Sequence, residues 1–186
     1  MSIQLIRHRF TADEYHRMAE AGVLRDDDRV ELIEGEVVEM TPIGPRHGAV
    51  VDRLTHALVR GCGDRAIVRV QGSIRLGLHS EPQPDIVLLR PRPDSYQKAL
   101  PGPESVLLVI EVAETSLPYD REVKLRLYAR ASVPEVWLVD LVRNQVEVHS
   151  EPTPEGYRRG VTLGAGDRLV PMALPDVSLS PADLLG

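Results

Sequence analysis

Residues Ser105–Glu114 read SVLLVIEVAE. The run Val106–Ile110 is wholly aliphatic and resumes at Val112 and Ala113, the pattern of a strand covered on both faces. Glu111 breaks that pattern, because a carboxylate removed from water without a partner is costly. The stretch therefore reads as a central strand whose far end keeps a charge for a reason other than packing. Downstream, YDREVKLRLYARA sets Val123, Leu127 and Ala131 on a common face, which predicts a helix over Tyr119–Ala131. EVWLVDL and QVEVHS follow as two strands, antiparallel across Val142-Arg143-Asn144. Strands mixed with helices around a buried central strand indicate an α/β domain built on a mixed sheet.

Upstream, TADEYHRMAEAG offers Thr11 as a cap, Glu14 as its capping-box partner and Gly22 as the exit of a short helix. RVELIEGEVVEM alternates around Glu34-Gly35 and reads as a tight hairpin. From His47 to Cys62, Val50, Leu54, Ala57 and Leu58 recur at helical spacing. AIVRV, SIRLGL and DIVLLR are then read as three strands, punctuated by Gly72, Pro82 and Pro84. Pro91–Pro103 is a surface loop, the tail from Glu151 alternates short β-like pieces with Pro and Gly, and SLSPADLL closes with a helical turn. No repeat or linker divides the chain, so the expectation is one domain over 1–186, with a core at about 11–149 and a β-rich tail at 150–186.

The net charge of -6 argues against a generally basic surface that grips nucleic acid non-specifically, so any such contact must be local, metal-assisted or built by an oligomer. Cys62 is the sole cysteine, which excludes an intrachain disulfide and a thiolate zinc site and suits a small buried apolar role. The start MSIQLIRHRF lacks a continuous apolar segment, and no later run is long enough to span a bilayer; the expectation is a cytoplasmic protein without a membrane partner.

Asp85 opens the apolar strand DIVLLR directly after Pro84, which stiffens the entry. If that strand neighbours the one carrying Glu111, both carboxylates point into one cleft. Two acids held close repel unless a cation neutralises them, and Mg²⁺ is bound by one or two carboxylates plus waters and substrate phosphates. Asp120, Lys124 and Tyr128 stand at successive i, i+4 positions on the following helix, which brings an ammonium within reach of the cleft. Each residue also has an ordinary structural reading: a Pro-Asp turn, a strand-end glutamate paired with arginine, a solvated Asp120–Lys124 pair of about 0.3–0.5 kcal/mol.

Three blocks carry a family resemblance: VELIEGEVVEMTPIGPRHGAVVDRL (Val30–Leu54), PDIVLL (Pro84–Leu89) and LLVIEVAETSLPYDREVKLRLYARASVPEVWLVDL (Leu107–Leu141). In order and spacing they resemble the Uma-two family of endonucleases, of the PD-(D/E)xK superfamily, from about Thr11 to His149. The resemblance implies a restriction-endonuclease-like fold, hydrolysis of DNA phosphodiesters with Mg²⁺ or Mn²⁺, Asp85 and Glu111 as catalytic metal ligands and the Val112 carbonyl as a further one. It matches Glu31 and Gly35 to the family's hairpin motif and His47 to a histidine opening the next helix. It departs at Ala113, where the superfamily pattern expects lysine; Lys124 on the following helix stands at the position that takes this role in the Uma-two family. The stretch AETSLPYD also departs from the commoner LSPST form beside the cleft.

Glu31 either binds metal or substrate or forms a hairpin salt bridge, and His47 either ligates metal, contacts phosphate or makes a structural hydrogen bond. Arg69 and Arg75 read as phosphate contacts or as plain exposed strand residues, and Trp137 as core rather than a base-stacking platform. A homodimer is expected, since two-fold symmetry suits cutting both strands of a duplex. The alternatives to a DNA endonuclease are a nuclease-like fold that only binds or scaffolds, and a metal-dependent phosphodiesterase acting on RNA or small substrates.

Overall fold

The computed structural model describes residues 7–25 and 27–186. Its helices are α1 (Ala12–Glu20), α2 (Pro45–Cys62), α3 (Leu117–Tyr119), α4 (Leu125–Arg130) and α5 (Pro181–Leu185), with a π-helical turn, Asp120–Lys124, joining α3 to α4. Its strands are β1 (Val30–Ile33), β2 (Glu36–Glu39), β3 (Ile67–Val70), β4 (Ile86–Leu89), β5 (Val106–Ala113), β6 (Glu135–Asp140), β7 (Gln145–Thr153) and β8 (Gly156–Leu163).

The strand quoted first, β5, is buried at every residue and lies inside a six-stranded sheet of order β3-β4-β5-β6-β7-β8. It runs antiparallel to β4 and parallel to β6, and the helical segment α3–α4 makes the crossover between the parallel pair. On one face, Leu108, Ile110, Val112 and Trp137 pack with Val50, Leu54 and Leu58 of α2. On the other, Val109, Ala113 and Leu138 pack with Leu117 and Tyr128. Cover on both sides explains why β5 reads as an unbroken apolar run, each such side chain contributing roughly 1.5–3 kcal/mol on burial. Period-two alternation then puts Glu111, between Val109 and Ala113, on the α3–α4 face.

The hairpin β1–β2 forms as read. Glu34 (φ 51°) and Gly35 (φ 83°) supply its turn, and a Cβ at Gly35 would stand 2.6 Å from the Arg9 Cβ, so only glycine fits. The Thr11 capping box opens α1, and Ser180 caps α5.

Three expectations need correction. Residues 73–78, read as a strand, are irregular: Gly72 and Gly77 loosen the segment, while Pro82 and Pro84 opposite lack the N–H groups a ladder needs, so Ile74 N–H goes to Pro82 O and Leu76 N–H to Ser80 O while Arg75 N–H turns to Pro101 O. Arg75 is therefore not an exposed strand residue; it bonds Glu81 at 3.3 Å and Asp13 at 3.1 Å. The tail does not start with fragments either, since β7 runs on to Thr153 and pairs with the eight-residue β8 in a long ribbon. Finally, the helix after β5 begins at Leu117 and is interrupted by the π turn, where the Leu125 N–H reaches Asp120 O. Trp137 is fully buried core, as read, and Cys62 is buried in the same layer.

Candidate active site

The N-terminal end of β4 and the C-terminal end of β5 are neighbours, because Ile86 pairs with Ile110. Asp85 and Glu111 thus arrive at one place and line one cavity of about 110 Å³, together with Glu31, His47, Asp120 and Lys124. Asp85 is fixed there by the strand beside it: its Oδ2 accepts the Val112 N–H at 2.9 Å and lies 3.0 Å from His47 Nε2. Its Oδ1 is only 3.5 Å from the Gln71 amide.

Lys124 reaches the cavity. Its Nζ donates to Glu111 Oε1 at 3.2 Å and lies 3.1 Å from Glu31 Oε2. The Tyr128 hydroxyl also donates to Glu111 Oε1, at 2.5 Å. Glu31 is held in turn by the Gln83 N–H at 3.1 Å, so its ion pair runs to the crossover helix rather than across its own hairpin. Ala113, where the lysine was expected, is buried in the apolar layer.

Glu31, Glu111, Asp120 and Lys124 are all buried. These three carboxylates and Asp85 gather around the Lys124 ammonium and the His47 imidazole, with Arg29, Glu39 and Glu114 also on the cavity wall. Burial pushes Glu111 up to about 8, with Lys124 pulling against it and Asp120, Asp85 and Glu31 adding to it. Burial likewise raises Asp120 to about 6, against Lys124 and the Ser116 hydroxyl that donates to it at 2.7 Å. For Lys124, burial alone would lower the ammonium, yet Glu111, Glu31 and Asp120 together hold it above its ordinary value. His47 is raised by its hydrogen bond to Asp85.

Does this donor set suit a divalent cation? Both donors to Glu111 fall on Oε1, which leaves Oε2 without one among the described residues. The Tyr119 hydroxyl and His47 Nδ1, both at this cavity, are buried without a partner. Excess negative charge beside unclaimed oxygens fits a hard cation held by two carboxylates. Among the described residues no group of three or more His, Cys, Asp or Glu side chains stands ready to hold a metal ion.

The six residues expected at the site, Asp85, Glu111, Val112, Lys124, Glu31 and His47, all line this cavity. Asp120 lines it too, and Tyr128 touches the site through its hydrogen bond to Glu111; both stand on the helix face read from the sequence, although neither was expected as a site residue. Tyr119 was missed altogether. Regular helical spacing turns it about 100° away from Asp120, and no periodicity foretells the π turn that follows.

Among the described residues no helix is long and apolar enough to cross a membrane. No curated protein matches the chain significantly. A crystal structure of a "putative nuclease" of the DUF820 group from Anabaena variabilis is similar with a TM-score of 0.76 at 17% identity, covering 95% of this chain and 97% of that one, which shows a common fold. The Uma2 family model, described as "putative restriction endonuclease", matches residues 12–182. With nearly its whole length matched, the chain belongs to the Uma2 family.

Proposed function

We propose that the chain is a metal-dependent endonuclease that hydrolyses phosphodiester bonds in DNA. One observation carries the reading: Lys124, from a different element, meets Glu111 at 3.2 Å in the cavity that Asp85 lines, supplying the ammonium that Ala113 cannot. Asp85 and Glu111, with the Val112 carbonyl, would hold Mg²⁺ or Mn²⁺. When bound, such an ion supplies Lewis acidity toward a phosphoryl oxygen and an acidified water.

The chain's own groups do the rest. The Val112 N–H and His47 orient the Asp85 carboxylate. Tyr128, kept protonated because burial raises its phenol, donates to Glu111 and fixes its rotamer. Lys124 keeps its proton and places a fixed positive charge where negative charge builds on a phosphoryl oxygen, an effect that is strong where water is scarce. Glu31 positions that ammonium. Two-fold pairing of copies is the simplest route to cutting both strands.

The test is nicking of supercoiled plasmid with Mg²⁺ by the parent, Asp85→Ala and Lys124→Ala. The parent is expected to nick, and each variant to lose about 10²- to 10³-fold while still folding. Equal cleavage by all three removes these residues from the mechanism. A second reading, a binding or scaffolding module, is favoured by Asp85 Oδ2, which already serves both the Val112 N–H and His47. Calorimetric titration with Mn²⁺ separates the two, since an inert module has no need of the ion; matched DNA and RNA oligonucleotides test the substrate.

A further inference from the structure

We infer that the β3 edge of the sheet, with Arg69, Arg90 and Lys98 around Tyr96, is the track on which the phosphates of duplex DNA lie. The inference rests on the nuclease reading and names the surface that brings the substrate to the cavity. The cavity cannot attract a polyanion itself, because its carboxylates outnumber its cations and the chain as a whole carries -6. Attraction must come from a local reversal of charge.

Residues 66–103 supply that reversal. Five cations, Arg69, Arg75, Arg90, Arg92 and Lys98, stand against three acids, Glu81, Asp85 and Asp94. Of those acids Glu81 is buried and Asp85 faces the cavity, so Asp94 alone among them opposes the cations outside it. Two cations are already neutralised: Arg92 pairs with Asp94 at 2.6 Å, and Arg75 is shared between Glu81 and Asp13. Arg69, Arg90 and Lys98 have no carboxylate within ion-pair distance among the described residues. Arg90 and Lys98 are exposed, and Arg69 is partly so.

The backbone holds Arg69 in a useful place. Arg69 pairs with Val87 and Val87 with Val109, so it lies on the same sheet face as Glu111, one step of about 7 Å further back along the strands. Its guanidinium sits 5.6 Å from the Tyr96 ring centre, and its Nη2 donates to Ser95 O at 3.2 Å. Arg92 lies 5.0 Å from the same ring. Stacking orders a guanidinium without cancelling its charge, which lowers the entropy lost when a phosphate arrives. Beside Tyr96 a hollow of about 470 Å³, lined also by His16, Gln97 and Lys98, gives the backbone room to approach.

The experiment is the salt dependence of duplex binding, by fluorescence anisotropy with Ca²⁺ in place of Mg²⁺. Each phosphate contact contributes about 0.9 to the slope of log K against log[salt], so Arg69→Ala and Lys98→Ala should each flatten the slope by about one and weaken binding about tenfold near 0.1 M salt. Arg69→Lys should keep the slope, and Arg75→Ala, already neutralised, should leave it unchanged. In nicking assays Arg69→Ala should raise KM with kcat intact. Lys98 is exposed, so its substitution leaves folding alone and its slope decides the matter if Arg69→Ala folds poorly. Duplex binding by the parent with unchanged slopes in both variants overturns the track and leaves the nuclease reading standing. A parent that binds no duplex at low salt, or prefers single-stranded RNA, overturns the DNA reading and the track with it.

Discussion

Two glutamates are buried in adjacent parallel strands, Glu111 on β5 (4% exposed) and Glu135 on β6 (1% exposed). Burial raises both above the ordinary glutamate value, Glu111 to about 8. Around Glu135 the demand is met: Trp137 Nε1–H donates to Oε1 at 2.8 Å and the Met172 N–H to Oε2 at 2.7 Å, one donor per oxygen. Around Glu111 it is not. Both donors converge on Oε1, and three further carboxylates, Asp120, Asp85 and Glu31, press on Glu111 itself. Burial by itself therefore does not mark a functional acid. What separates the two is an imbalance of charge that the protein's own groups leave uncorrected.

The comparison breaks first, and with the largest effect, in paired substitutions. Glu111→Gln should reduce Mg²⁺-dependent plasmid nicking about 10²- to 10³-fold, while its melting temperature holds or rises because an ionisable group no longer has to be kept dry. Glu135→Gln should nick like the parent. Comparable loss in both variants would mean that the two sites share a structural role, and the distinction drawn between them would fall.

A pH series sharpens the contrast. A carboxyl raised above its ordinary value binds its proton more tightly folded than unfolded, so its contribution is complete below the ordinary value of 4.5 and is lost as pH climbs through the folded value. For Glu111, at about 8, stability without divalent ion should fall between those limits by on the order of 2–4 kcal/mol. Urea unfolding across that range, in chelator and in Mn²⁺, reads it. Glu111→Gln or added Mn²⁺ should remove the largest part of the slope, leaving the smaller declines due to Asp120, His47 and Glu135, which are also raised. A flat profile in chelator would show that the crowding at Glu111 is relieved in some other way.

How far the sequence anticipates this depends on whether the signal is local. Glu111 is conspicuous because its neighbours along the strand are all apolar, and the spacing of Asp120, Lys124 and Tyr128 places their side chains on a common face. The hairpin turn at Glu34-Gly35 and the Thr11 capping box are equally legible, since their partners lie within a few residues. Glu135 shows the limit. Its donors are a tryptophan two residues on and an amide 37 residues away, and the second belongs to tertiary structure. Residues 73–78 fail for a related reason, because apolar alternation is present but the facing prolines deny the ladder. Tyr119 eludes detection because a π turn has no period of its own to read.

The smallest expected effect tests whether Glu135 is as self-sufficient as its geometry implies. Trp137→Phe removes the N–H that donates to Glu135 Oε1 and should cost about 1–3 kcal/mol in urea unfolding, with nicking unchanged. Much of that loss comes from a buried acceptor left short of a donor, so it should shrink when Glu135 is also changed to Gln. A double-mutant cycle isolates that part from the packing lost with the indole. A coupling near zero would mean that the indole matters to β6 only as volume, and that Glu135 relies on the Met172 amide alone; its carboxyl would then be nearer to the under-supplied state of Glu111 than their hydrogen bonds suggest.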